Sequence, residues 1–330
     1  MSLDRINLLD VAMRLDPDKK TVARIVEKLD QHNPMLQDAP AFAGNAPMGN
    51  VVTRRSSLPT VGWSRINEGY SRSKSSTEQH TDTMGLLKAL SETDTALEKI
   101  HGSAKMGSIR WGEDKSFLEA ISQELTQTMI YGNELTEEAA FTGFQPRLET
   151  LNTGITASQV KAHHGSPSGS DYTSIYIVDW GEDGASLIYP EGSSAGVDQK
   201  DLGIQLVSDA DSNQFSAYVT QFIVTLGLAV KDARHIARLC NIDVSQAQSD
   251  TSVQLVESMI DVLNSMPPPD GLNRVIYCHR EIIAAWKKQV MAKSNVWFSF
   301  DEYLGKKHLM FDGHPVRRVD QLTKSESLVS

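Results

Sequence analysis

Cys278 and His279 are the sharpest candidates for chemistry in this sequence. A thiol at a strand-to-helix junction can be acidified by the helix N-terminus, and a nearby imidazole can serve as its base. Adjacent side chains point apart, however, and no third group is there to orient the imidazole. The competing reading is a structural thiol, because free cysteine is among the most buried residue types. Gly192-Ser193-Ser194-Ala195-Gly196 matches the G-x-S-x-G elbow, with Ser194 as nucleophile. That elbow needs a strand before it and a helix directly after it. Here Pro190-Glu191 precedes it and V-D-Q-K-D-L-G-I follows, so a Gly/Ser loop is the favoured reading. His163-His164 lies in a Gly/Ser-rich stretch with no further metal-ligand pattern. Gly44 to Asn50 has the P-loop glycines but Asn50 where the lysine belongs. Asp179, Glu182 and Asp183 fall in a turn and read as solvated carboxylates. These patterns predict no catalytic residue, no metal and no cofactor.

The elements that would have to position such residues are mixed. Glu113 to Tyr131 predicts one uninterrupted helix, with Gly112 before it and Gly132-Asn133 after it. Phe117, Leu118, Ile121, Leu125, Thr128 and Met129 form its stripe. Glu113 and Asp114 would then occupy its first turn. Upstream, 6–15 and 21–31 read as short amphipathic helices of an arm spanning 1–48. Val22, Ile25, Val26 and Leu29 make an apolar stripe on the second. The pattern leaves open whether that stripe packs on its own chain or on a neighbour. Val51-Val52-Thr53 and Thr60 to Trp63 read as strands, and Ser71 to Thr77 as a loop tip or strand edge. A long hairpin with one Trp and few other large apolar residues cannot stand alone in water and must lie on something. Thr83 to Ile100 has helical texture. Beyond Phe141 the texture is α/β. Strands are expected at 173–180, 185–189, 214–226, 274–277, 296–300 and 309–319, with a hairpin signal at Gly181 to Gly184. Helices are expected at 231–241, 251–264 and 281–291.

The chain has 330 residues, enough for two or three core-forming units, and a net charge of -10. That balance argues against a protein whose task is gripping nucleic acid. Yet Asn50 to Lys74 carries Arg54, Arg55, Arg65, Arg72 and Lys74 against Glu68 alone. A cationic extension on an acidic chain suits an acidic partner, including another copy of itself. Two unrelated cysteines, Cys240 and Cys278, fit a reducing compartment. No signal-peptide core is seen, and no run approaches the ~18 apolar residues of a membrane span, so a soluble protein is expected.

The order of parts resembles the major capsid proteins of tailed bacteriophages, specifically a podovirus-type family. The resemblance rests on L-D-V-A-M-R-L-D-P-D at 9–18, L-P-T-V-G-W at 58–63, E-D-K-S-F-L-E-A at 113–120 and M-I-Y-G-N at 129–133. It continues through F-T-G-F-Q-P-R at 141–147, K-D-L-G at 200–203, the run at 228–243 and F-D-G-H-P-V-R-R-V-D at 311–320. It implies an α+β, Hong Kong ninety-seven-like capsid fold. The implied plan is an N-arm at 1–48, an extended loop at 49–85, and a peripheral domain at 86–150 with spine helix 113–131. An axial domain follows in two parts, 151–199 and 246–330 with the closing strands, around peripheral long strands at 200–245. Gly313-His314-Pro315-Val316 comes last, which implies a permuted connectivity. The implied function is a self-assembling icosahedral shell around a double-stranded DNA genome, built and located in the virion after folding in the host bacterial cytoplasm. The implied partners are copies of itself as hexamers and pentamers, a decoration (cement) protein, portal and scaffold. Packaged DNA would be enclosed without specific recognition, and no membrane is involved. The inter-subunit contact candidates are Val22, Ile25, Val26, Leu29, Arg54, Arg55, Trp63, Arg65, Arg72 and Lys74. The alternatives are an encapsulin-like compartment and a cysteine or serine hydrolase.

Overall fold

The computed structural model describes residues 34–329 except 152–158, 164–168, 170, 194–195, 210, 250–253, 293–297 and 304–305. Both expected arm helices lie outside the described residues. In chain order the helices are α1 (Met35–Asp38), α2 (Ala96–His101), α3 (Ser103–Tyr131), α4 (Val244–Ser249), α5 (Gln254–Ser265) and α6 (Arg280–Ala292). The strands are β1 (Ala41–Ala43), β2 (Gly49–Ser57), β3 (Ser76–Asp94), β4 (Val160–Ala162), β5 (Tyr172–Trp180), β6 (Ala185–Tyr189) and β7 (Asp198–Ser208). They continue as β8 (Gln214–Val230), β9 (Ile236–Asp243), β10 (Asn273–Cys278), β11 (Phe298–Tyr303), β12 (Lys306–Phe311) and β13 (His314–Arg318). The path β11-β12-β13-β10-β5-β6-β8-β3-β2 runs through one sheet, with β1, β4, β7 and β9 attached beside it.

Two apolar clusters sit on opposite faces of the same strands. Tyr176, Val178 and Trp180 of β5 join one cluster with Ile121, Leu125 and Met129 of α3 and Phe222 of β8. Ile175 and Ile177 join the other, with Met259 of α5 and Trp286 of α6. This alternation is the period-two signature of a strand buried on both faces.

Four expectations are corrected by the structure. The long helix begins at Ser103, so Gly112 lies inside it and Glu113 and Asp114 are not in its first turn. An interior glycine costs a helix only ~1 kcal/mol. Met106 and Ile109 pack with Leu97 of α2 and hold the extra turns in place. Met84 to Asp94 is strand, not helix, laddered antiparallel to β8 from Gly227 to Ala217. Its Leu, Ala, Lys and Glu favour helix, but long-range pairing overrides propensity. Residues 236–243 are also strand, following a 3₁₀ turn at Ala233–His235. Every residue of β9 is buried, so neither period shows in its hydropathy. Thr60 to Trp63 is not a strand but part of an exposed loop. In addition, β5 and β6 meet in parallel only at Trp180 and Ala185, so Gly181 to Gly184 does not close a hairpin. Instead β6 pairs with β8. No helix among the described residues is long and apolar enough to cross a membrane.

Candidate assembly surface

Among the described residues, the thiol singled out for chemistry is taken up by packing. Cys278 is completely buried, and burial pushes its thiol far up from its ordinary range. Its Sγ lies 3.9 Å from the Arg317 carbonyl. The His279 ring turns elsewhere, its Nδ1 accepting from the Glu281 N–H at 3.3 Å. Ser194 and His164 lie outside the described residues. His163 Nδ1 stands 3.1 Å from Ser258 Oγ. The Ser258 hydroxyl donates to the Gln254 carbonyl at 2.8 Å, so the imidazole donates to the serine instead of deprotonating it. Among the described residues no group of three or more His, Cys, Asp or Glu is placed to hold a metal.

Asp179 is not the solvated turn carboxylate the sequence suggested. It is fully buried at the end of β5 and accepts from Arg274 Nε at 2.7 Å and Nη2 at 2.8 Å. His235 Nδ1 lies 2.8 Å from Oδ2, the oxygen that also accepts from Arg274 Nη2. Glu182 and Asp183 do remain exposed, 3.6 and 4.0 Å from Lys231 Nζ. A second buried pair, Arg238 and Glu326 at 2.9 Å, anchors the C-terminal segment. Tyr131 at the end of α3 donates to the same Glu326 at 2.8 Å. Buried charges are tolerable only when paired in this way.

The hairpin of β2 and β3 combines one such buried pair at its base with an exposed outer end. Its base is fastened firmly. Arg147 Nη1 donates to the buried Asp82 of β3 at 2.7 Å, while Nη2 donates to the Thr142 and Leu228 carbonyls at 3.2 Å each. The second Asp82 oxygen accepts from the Val230 N–H at 3.3 Å. The Asn45 side chain brackets Val51, donating to its carbonyl at 2.8 Å and accepting from its N–H at 2.7 Å. Ser56 and Ser57 hydroxyls meet that of Ser76 at 2.7 and 2.6 Å, where the strands part.

Beyond that neck every residue from 58 to 75 is exposed. Leu58, Val61, Ile66 and Tyr70 are each at least 75% exposed, and Trp63 is 106% exposed. Burying side chains of this kind is worth about 1.5–3 kcal/mol each. The isolated chain therefore forgoes roughly 10 kcal/mol of burial on one loop. The candidate contact cations divide. Arg55, Arg65, Arg72 and Lys74 are exposed. Arg54 is half-buried and donates to the Lys231 carbonyl at 2.7 Å and to that of Val230. Val22, Ile25, Val26 and Leu29 lie outside the described residues. Asp82 and Arg147 escaped the sequence reading. The only signal for them was an arginine ending the F-T-G-F-Q-P-R motif.

Comparison with known proteins bears on the family and the fold. The family model for the major capsid protein GP7 matches residues 16–330. A chain in the near-atomic-resolution cryo-EM structure of bacteriophage Epsilon15 is 34% identical over 100% of this chain and 98% of that one, with a TM-score of 0.77. A chain of the bacteriophage JBD30 capsid shares the fold at 8% identity and a TM-score of 0.54, over 89% and 93% of the two chains. The holo-SrpI encapsulin complex of Synechococcus elongatus PCC 7942 aligns at 13% identity over 73% and 98%, with a TM-score of 0.42, which carries no argument. The search of curated proteins returned no match.

Proposed function

This chain belongs to the major capsid protein GP7 family, and from that premise we propose that its loop at 58–75 is a subunit-joining device of the phage shell. The protein is a shell-forming capsid protein with the Hong Kong ninety-seven-like fold. The observation that carries the proposal is the fully exposed, apolar and cationic loop on a firmly anchored hairpin. A surface of that composition is stable in water when a neighbour covers it. The candidate contacts are Trp63, Arg65, Arg72 and Lys74 of the loop, with Arg54 and Arg55 on β2 at its base and Val22, Ile25, Val26 and Leu29 of the arm.

On this reading the chain works without catalysis. It forms hexamers and pentamers of an icosahedral shell around double-stranded DNA, assembled in the host bacterial cytoplasm. Decoration protein, portal and scaffold are its further partners. The division proposed is arm 1–48, extended loop 49–85, peripheral 86–150 and 200–245, and axial 151–199 and 246–330. Electron microscopy of the purified protein tests the core of this. Closed particles are expected from the wild type. Trp63→Ala should leave the subunit folded but reduce particle yield. A monomer with hydrolytic activity that Cys278→Ala abolishes would overturn the reading.

A further inference from the structure

Residues 319–329, beyond the last strand, contain no helix or strand. Yet Val319, Leu322, Glu326 and Val329 are buried, while Thr323, Lys324, Ser325, Ser327 and Leu328 are exposed. The segment lies on the surface and is held by spaced anchors. The body builds the seat of one of them. Arg238 of β9 donates through Nη1 to the Leu148 carbonyl at 2.9 Å and through Nε to Ser174 Oγ at 3.0 Å. Its guanidinium carbon lies 5.7 Å from the centre of the Tyr176 ring. These contacts aim Nη2 at Glu326, which accepts at 2.9 Å. The Ser174 hydroxyl donates to the same Glu326 oxygen. Tyr131 donates to the other oxygen at 2.8 Å and accepts from the Thr323 N–H at 2.9 Å. Farther on, the Asn241 side chain donates to the Val329 carbonyl and accepts from its N–H, both at 2.9 Å.

The two residues that grip Glu326 also flank the stretch that carries Arg147. At its start, the Gly143 N–H donates to the Gly132 carbonyl at 2.8 Å and the Phe144 N–H to that of Met129 at 2.9 Å, beside Tyr131 at the end of α3. At its far end, the Leu148 carbonyl accepts from Arg238. Between these supports Arg147 reaches Asp82, the buried carboxylate at the base of the hairpin. Without Glu326, Arg238 would hold a buried charge lacking this carboxylate, and a guanidinium in that position turns toward other acceptors. Turning withdraws Nη1 from Leu148, the residue next to Arg147. The path from Glu326 to Asp82 is therefore a contiguous chain of direct contacts.

We propose that residues 319–329 are a strap whose seating sets how firmly the β2–β3 hairpin is held. With Glu326 in its seat, Arg147 is aimed at Asp82; with the strap lifted, the hairpin base loosens. The strap is suited to lifting, because its main chain meets the body at separate points and not through a strand ladder. Two of these are the Val319 N–H on the Cys278 carbonyl and the Glu326 N–H on that of Tyr172, each at 3.1 Å. The inference concerns the single subunit. Its bearing on assembly rests on the reading that the 58–75 loop joins subunits.

The test replaces the buried pair by apolar side chains in the full chain, Arg238→Met with Glu326→Leu. This fills the site but removes the bond to Leu148. Melting of the unassembled subunit should stay near the wild-type value, since buried ion pairs can be exchanged for apolar packing. Hydrogen exchange at the amides of 81–83 and of Val230, which donates to Asp82, should become about tenfold faster, with α5 unchanged. Wild-type exchange at those amides overturns the proposal, and so does an equal rise in α5, which is global loosening. Where the pair lowers melting, Glu326→Gln takes its place, because it keeps the side chain's shape and removes the charge. It should speed the same amides about threefold, and wild-type exchange there overturns the proposal equally. Sedimentable particle yield separates this inference from the joining role of the loop. Faster exchange with reduced yield supports both. Faster exchange with wild-type yield supports the strap and overturns the joining role.

Discussion

Asp82 and Arg147 fix the direction in which the hairpin leaves the body. Asp82 is 1% exposed; one of its oxygens accepts from Arg147 with His80 Nε2 3.2 Å away, and the other accepts from the Val230 N–H. Removing one partner of a buried ion pair leaves the other uncompensated, which costs about 3–5 kcal/mol. Asp82→Ala should therefore lower unfolding free energy by about 3 kcal/mol in urea titration of the unassembled subunit. A loss below the error of the titration would mean that water replaces the carboxylate without penalty. Cys278→Ala should cost about 1 kcal/mol through the small cavity it opens, and should remove no activity. Residue-level function was the least legible part of the sequence. The charged partners are 65, 88 and 95 positions apart for Arg147–Asp82, Arg238–Glu326 and Arg274–Asp179. Nothing local marks such pairs, whereas Cys278-His279 is conspicuous locally and its thiol is buried in space.

Elements were legible where one face is wet, or where a buried run is rich in β-branched and aromatic residues as in β5, and illegible where a strand is built of helix formers. α5 shows a clear apolar stripe, and the sequence places it within a few residues. β9 is buried on all sides, and β3 alternates Leu86, Lys88 and Leu90 with Leu87 and Ala89 in a composition that favours helix. The helix-sheet interface also holds a testable strain. Asp114 of α3 is buried against Gln199 of β7, whose amide lies 3.4 Å from one carboxylate oxygen. Burial raises its pKa, partly opposed by a bond from Ser91 and by Arg110. The folded chain thus holds this proton more tightly than the unfolded chain. The stabilisation it supplies is present at low pH and is lost as pH rises through the raised value. Asp114→Asn should match wild type near pH 4 and melt higher than wild type at pH 7. Equal melting temperatures at both pH values would show that the carboxylate is adequately solvated. At the other end of α3, Gly143 donates its N–H to the Gly132 carbonyl at 2.8 Å. A Cβ at Gly143 would come within 2.7 Å of the Met129 carbonyl oxygen. Gly143→Ala should cost about 1–3 kcal/mol by overpacking, read as a lower urea midpoint.

At the scale of the whole molecule, a cationic segment on an acidic chain suits an acidic partner, another copy of the chain included. The structure divides that segment into two kinds of arginine. Arg54 caps main-chain carbonyls at the end of β8, so Arg54→Glu should weaken the subunit itself, lowering its melting temperature at every salt concentration. Arg55, one residue on, is exposed and makes no ion pair among the described residues. Arg55→Glu should therefore leave subunit melting unchanged and act only on assembly. A single exposed pair is worth only ~0–1 kcal/mol, but a shell repeats the contact in every copy, so the small term accumulates over the particle. Exposed charges are screened beyond about 8 Å at physiological ionic strength, so the loss should be largest in dilute buffer and should shrink at high salt. The measurement is particle yield by sedimentation at low and high salt, beside thermal melting of the unassembled subunit. A salt-independent loss would assign Arg55 to a packing role. Wild-type yield at both salts would make its charge a solvent-facing feature and restrict the contact to the outer part of the loop, beyond Leu58.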